Sequence, residues 1–180
     1  MQNYNELDDA NLVKAARNNT EAFSVLYRRY LNRLYRYLLR RVNHVHDAED
    51  LTMQVFNDVL DGLSSRQYHE KGCFAAWLFT IARRRVADYF RQCPSEPLSE
   101  CLSIDVDPTL DIENSELSRY LNTLINRLDA RQQELLRLRF SAQLSFSEIA
   151  LVENSTEAAV KMAFYRTIKL LRSQWEAENE

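Results

Sequence analysis

The chain has 180 residues, enough for one ordinary domain or two small ones, with 46% hydrophobic and 27% charged side chains and a net charge of −3. Two glycines and three prolines are too few for an all-β fold, which needs turn residues every few positions, so the composition reads as all-α. The same scarcity removes several enzyme classes: Gly62 and Gly72 make neither a dinucleotide fingerprint nor a phosphate loop, no H-E-x-x-H occurs, and the histidines are His44, His46 and His69 alone.

No catalytic motif survives, and the chain is expected to be a non-enzyme without a cofactor. Cys73, Cys93 and Cys101 are odd in number, contain no C-x-x-C pair and follow no long apolar run. Reduced thiols in a cytoplasmic setting, without membrane insertion, are therefore expected. A metal site on His69 and Cys73 is disfavoured, since its ligands would straddle a loop.

Four helices are expected in a first lobe, residues 1–92. A short one covers about Asp8 to Arg17. After Asn18-Asn19-Thr20, with Thr20 as N-cap, a second helix carries Phe23, Leu26, Tyr27, Tyr30, Leu34 and Leu38 on one stripe. Arg29, Arg33, Arg36 and Arg40 fall on its other side, either a solvated face or a cationic surface. A third begins at Asp47, which can cap it, with Glu49 and Asp50 suited to the positive end of the helix dipole. Its apolar side holds Leu51, Val55, Phe56, Val59 and Leu63; Asp50, Gln54, Asn57 and Asp61 share the opposite side. Beyond a polar loop, Ser64 to Gly72, a fourth helix runs from about Cys73 to Gln92, with Phe74, Trp77, Leu78 and Ile81 as its stripe and Arg83-Arg84-Arg85 after it.

All three prolines (Pro94, Pro97, Pro108) lie between Cys93 and Ile112, among acids and without helical period. Proline fixes φ and lacks the backbone donor, so residues 93–112 read as a flexible acidic linker. The acidic excess lies here: residues 92–118 hold seven acids and no base, leaving two near-neutral lobes. The second lobe, 113–180, also reads as four helices. Leu117, Leu121, Leu124 and Leu128 mark the first. Asp129 with Gln132 caps a second running to about Phe140, and Ser145 with Glu148 caps a third over Phe146 to Val152. Asn154 tolerates the left-handed turn, and Thr156 caps a long final helix. Val160, Phe164, Ile168, Leu171 and Trp175 form its packed stripe, while Lys161, Met162, Tyr165, Arg166 and Lys169 lie off it. A turn this tight makes a helix-turn-helix whose last helix has a packed face and a cationic reading face, although an ordinary bundle edge would show the same split.

The run Asp47-Ala48-Glu49-Asp50-Leu51 with Phe56 resembles the polymerase-binding segment of sigma-70 family proteins. Phe74, Ala76-Trp77-Leu78, Ile81-Ala82-Arg83 and Asp88 resemble their promoter-melting helix. Leu128, Glu134, the Phe146 to Ala150 helix and Val160-Lys161 with Arg166 resemble region 4. In a chain this short, the extracytoplasmic-function (ECF) subgroup is implied. The resemblance implies a sigma factor directing transcription initiation at a specialised stress or envelope-response regulon. Its partners would be core RNA polymerase (β′ clamp helices and β flap), promoter DNA and an anti-sigma factor. Polymerase contacts would come from Asp47, Glu49, Asp50, Leu51, Met53, Gln54, Asn57 and Asp61. The minus-ten strand would meet Tyr68, His69, Lys71, Trp77, Arg83 and Arg84, with Trp77 also suited to core packing. The minus-thirty-five element would meet Thr156, Lys161, Met162, Tyr165, Arg166 and Lys169.

Departures from the family pattern fall at Met53-Gln54, where Gln-Glu is common, and at Met162 and Ala163, where serine and arginine are frequent. Arg85 stands where a hydrophobe is usual, and Asp88 is the expected partner for it. Two other readings stay open: a stand-alone helix-turn-helix regulator, which would leave the first lobe without a task, and a sigma-like adaptor that binds an anti-sigma factor instead of DNA.

Overall fold

The computed structural model describes residues 3–65, Tyr68, 73–92 and 116–179, with side chains in the last stretch from Tyr120 to Ala177. His69, Lys71 and the 93–112 linker lie outside the described residues. The elements are α1 (Asp9–Ala16), α2 (Thr20–Val42), α3 (Val45–Ser64), α4 (Phe74–Gln92), α5 (Glu116–Asn126), α6 (Ala130–Leu136), α7 (Phe146–Val152) and α8 (Glu157–Asn179). A 3-10 turn at Tyr4–Glu6 precedes α1, and a π-helical turn, Arg137–Ser141, continues α6. Among the described residues there is no strand, and no helix is long and apolar enough to cross a membrane.

The first lobe is built on α2, which packs against α1, α3 and α4. Its three-and-four spacing brings Leu26, Leu34 and Leu38 to full burial, each worth about 1.5–3 kcal/mol in apolar area removed from water. Tyr37, also fully buried, meets the Phe79 ring edge-on at 5.4 Å. Phe56 seals the α2–α3 contact against Tyr27 and Phe23.

Local chemistry sets the helix ends, partly at other residues than the sequence suggests. Asn19, not Thr20, caps α2: its side chain accepts from the amides of Glu21 and Ala22. Helix α3 starts at Val45, ahead of Asp47, and its N-cap His44 makes no side-chain cap bond. Both expected capping boxes, Asp129 with Gln132 and Ser145 with Glu148, are present. After α7, Asn154 takes a left-handed φ of 49°, the Ser155 amide donates to Ala150 and the Asn154 amide to Leu151. That is a Schellman turn with asparagine in glycine's usual place. Thr156 Oγ1 then accepts from the Ala159 amide and starts α8.

The lobes do not stand apart. Helix α2 packs on the π-helical turn and α4 packs on α7, so one apolar cluster runs from Leu12 to Phe164.

Candidate nucleic-acid interface

Three surfaces carry the residues expected to act. On α3 the stripe is Asp50, Met53, Gln54, Asn57, Leu60 and Asp61, all exposed. The three-and-four spacing that buries Leu51, Val55, Phe56, Val59 and Leu63 turns this second set outward. Met53 is 63% exposed and Leu60 40%, so two apolar side chains stand among the polar ones of the strip. Leu60 was not expected to take part; its place between Asn57 and Asp61 is the sequence signal that marks it. Glu49 is exposed and near His46, whose Nδ1 lies 3.6 Å from Glu49 Oε2.

Two expected polymerase contacts point elsewhere. Leu51 is 3% exposed and belongs to the core. Asp47 is half-buried, accepting from the Tyr89 hydroxyl at 2.7 Å and lying 3.3 Å from His44 Nδ1. Its carboxylate ties α3 to α4 instead of capping α3.

The second surface surrounds the start of α4. Tyr68 is 4% exposed, with its ring 5.0 Å from Trp77 and 6.2 Å from Phe74. Burial raises its phenol above the usual range, and Arg17 donates to its carbonyl. In this conformation Tyr68 is a core residue, not a platform for a base. Trp77 is half-buried in the same aromatic group, and a Cβ on Gly62 would come within 2.7 Å of its ring. Arg84 is exposed. Arg85 is not held by Asp88: it makes a two-point contact with Asp58 of α3, with Nε 2.6 Å from Oδ2, which raises the guanidinium further. Asp88 pairs with Arg91.

The third surface is α8. Lys161, Met162, Tyr165, Arg166 and Lys169 are exposed, while Val160, Phe164 and Thr167 face inward. Met162 and Tyr165 are 56% and 63% exposed. Lys161 lies 2.6 Å from Glu157, which raises its ammonium; an exposed pair like this is weak and yields readily to a phosphate. Arg166 reaches back to the Met162 sulfur. Thr156 is exposed, but its hydroxyl is spent on the α8 cap. One face of α8 thus offers cationic donors, a thioether and a phenol to solvent.

Arg83, expected on phosphate, is engaged between the lobes. Its Nη1 donates to the Val152 carbonyl at 3.0 Å and lies 2.9 Å from Glu153 Oε1, while its Nε is 3.5 Å from Glu134 Oε1. Glu134, 8% exposed, accepts the Tyr37 hydroxyl at 2.6 Å. Its other oxygen lies 3.6 Å from both Arg41 and Arg137 without a hydrogen bond. Burial raises the Tyr37 phenol and lowers the Arg137 guanidinium. Arg33 donates to the carbonyls of Ala142 and Gln143 at 2.8 and 3.1 Å, and the Cys73 thiol donates to Glu148 at 3.3 Å. Sequence spacing gives no sign of this cluster, whose members come from α2, α4, α6, the π-helical turn and α7.

Comparison with known proteins matches the same two stretches. A family model of sigma-70 region 2 matches residues 26–93, and one of sigma-70 region 4 matches residues 118–171. The ECF RNA polymerase sigma factor BldN of Streptomyces coelicolor is 32% identical over 164 residues; the match takes 88% of this chain and 62% of that protein, so the chain spans less than two thirds of it. The ECF RNA polymerase sigma factor SigD of Mycobacterium tuberculosis is 33% identical over 151 residues, covering 77% of this chain and 70% of SigD. Among solved structures, CnrH in complex with the cytosolic domain of CnrY superposes with a TM-score of 0.67 at 20% identity, over 94% of this chain and 97% of that one. That likeness concerns the fold.

Proposed function

The chain belongs to the ECF group of the sigma-70 family, and from that premise we propose that it directs core RNA polymerase to the promoters of a specialised stress or envelope-response regulon. It works by binding, with no reaction of its own. Residues 1–92 serve as the polymerase- and minus-ten-binding domain, residues 113–180 as the minus-thirty-five-binding domain, and 93–112 as the connection. The work is cytoplasmic, where polymerase and promoter are.

One observation supports this above the others: a single chain presents two separate outward faces, one on α3 and one on α8, each within a stretch matching a sigma region. On α3, Asp50, Gln54, Asn57 and Asp61 would frame Met53 and Leu60 against the β′ clamp helices. On α8, Arg166 would take a base edge in the major groove, Lys161 and Tyr165 would flank it, and Lys169 would hold phosphate. The β flap would lie against the same domain. On the first lobe, His69 and Lys71 with Arg84 would follow the minus-ten strand, a role that burial denies Tyr68 in the present conformation. A stand-alone regulator leaves the α3 strip unexplained. A sigma-like adaptor leaves the cations of α8 unexplained. Exposed Phe90 on the first lobe and Phe140 and Leu151 on the second give an anti-sigma factor apolar footholds on both.

The test is run-off transcription with purified core polymerase on genomic DNA, with the transcripts sequenced. Specific starts sharing an upstream element are expected, and none beyond core alone would refute the reading. Asp50→Arg should lose polymerase in a sizing column. Arg166→Ala should keep it while weakening promoter use by about 1–3 kcal/mol, roughly five- to 150-fold.

A further inference from the structure

The outward side of α8 is not uniformly polar. Val160, Phe164, Thr167 and Leu171 turn toward the core of the domain. With about 3.6 residues per turn, the line opposite them runs through Ala158, Met162, Tyr165 and Lys169, spaced four, three and four. All four are exposed, and Lys161 and Arg166 lie on either side of the line. Met162, 56% exposed, therefore stands in the middle of this face between two cations. Neither Ala158 nor Met162, which occupy the first two turns, brings a side-chain hydrogen-bond donor.

In a helix-turn-helix the first residues of the second helix reach the base edges. Those edges offer acceptors on guanine, donors on cytosine and adenine, and one apolar group, the C5 methyl of thymine. A thioether pressed on a guanine or cytosine edge would strip water from polar groups without replacing their hydrogen bonds, which is unfavourable. Against a methyl it loses nothing.

We propose that Met162 is a specificity-determining residue that reads a thymine methyl, so that the element bound by α8 carries thymine at the base pair next to the one Arg166 contacts. This rests on the sigma reading and says which base chemistry that site selects.

The pairing with Arg166 sets the register. Its Nη2 lies 3.7 Å from the Met162 sulfur, close to the ~3.4 Å step between neighbouring base pairs. Lys161 is held by Glu157 at 2.6 Å, whereas Arg166 has no carboxylate partner among the described residues and is the cation free to take guanine O6 and N7. Tyr165 leans its ring on Phe146 and Phe164, at 6.2 and 5.8 Å between centroids, and ends in a hydroxyl. Met162 is thus the unbranched, adaptable apolar group on the line, able to follow a methyl on either strand. The unit recognised is a guanine on one base pair and a thymine methyl on the next.

The test uses reconstituted holoenzyme, core polymerase with the full chain, and a labelled promoter duplex carrying the upstream element shared by the run-off starts. Each thymine of that element is replaced in turn by uracil, which deletes the methyl and keeps every hydrogen-bonding group. One replacement, beside a guanine, should weaken binding about three- to fourfold, the worth of one buried methyl-sized group. Met162→Ser should bind the thymine and uracil duplexes alike, and Met162→Leu should keep the preference. At the same position cytosine should bind worse than thymine, and 5-methylcytosine should regain about the same factor over cytosine. Wild type indifferent to every uracil replacement, an element with no thymine beside guanine, or discrimination that survives in Met162→Ser would overturn the proposal. Specific starts without a methyl effect remove this inference alone. No specific starts from any template remove the sigma reading and this inference with it.

Discussion

Tyr37 is fully buried and donates its hydroxyl to Glu134 at 2.6 Å. Burial first, then the neighbouring carboxylate, hold its phenol well above the ordinary 10.0. The folded state thus keeps a proton that the unfolded chain releases near pH 10. The stabilising contribution is complete below that pH and falls as pH rises beyond it. Thermal melts should lose stability from about pH 10 upward, and Tyr37→Phe should flatten that slope while lowering stability at neutral pH by about 1 kcal/mol. A slope unchanged in Tyr37→Phe would show that the phenol plays no part. Gly62 offers a second test at this scale. A methyl group there would lie 2.7 and 2.9 Å from the ring carbons of Trp77, a ring wedged against Tyr68 and Phe74. Overpacking of this kind costs about 1–3 kcal/mol, against about 1 kcal/mol of helix propensity gained over glycine. Gly62→Ala should therefore melt lower than the wild type, with a shifted tryptophan emission, and a higher melting temperature would contradict the packing described.

At the scale of elements, the reading helix depends on the turn before it. Ser145 and Glu148 close the N-terminus of α7, and Asn154 ends that helix in a left-handed conformation. Ser145→Ala should cost about 1 kcal/mol, and Asn154→Ala a similar amount, because a Cβ-bearing residue without a local hydrogen-bonding side chain resists that φ. Chemical denaturation followed by far-UV circular dichroism reads both, and Asn154→Gly should leave stability nearly unchanged. These features were legible in the sequence because each is decided within four residues by a side chain's reach to nearby backbone. The cap of α2 was less so: Asn19 and Thr20 are both good caps, and the choice depends on how Asn19 is oriented, with its amide also donating to the Tyr4 hydroxyl. Asp47 looked like a cap for the same local reason, yet Tyr89, 42 positions along the chain, takes its carboxylate. The π-helical turn at Arg137–Ser141 carries no proline or glycine; Gln143 beyond it has a φ of 54°, with Arg33 of the other lobe holding its carbonyl.

For the whole molecule, periodicity gave the two lobes and their outward faces, but their clasp depends on pairs such as Tyr37 with Glu134, 97 positions apart, and no spacing rule reaches that far. A charge at a helical position reads as solvated until the opposing surface is known, which is how Arg33 and Arg83 came to look like free cations. Arg83→Ala removes contacts to Val152, Glu153 and Glu134 together and leaves the buried Glu134 carboxylate with one positive neighbour fewer, so the packing of the two lobes should weaken. The radius of gyration read by small-angle scattering on the free chain should grow with helicity unchanged, and an unchanged radius would show that these contacts do not hold the lobes together.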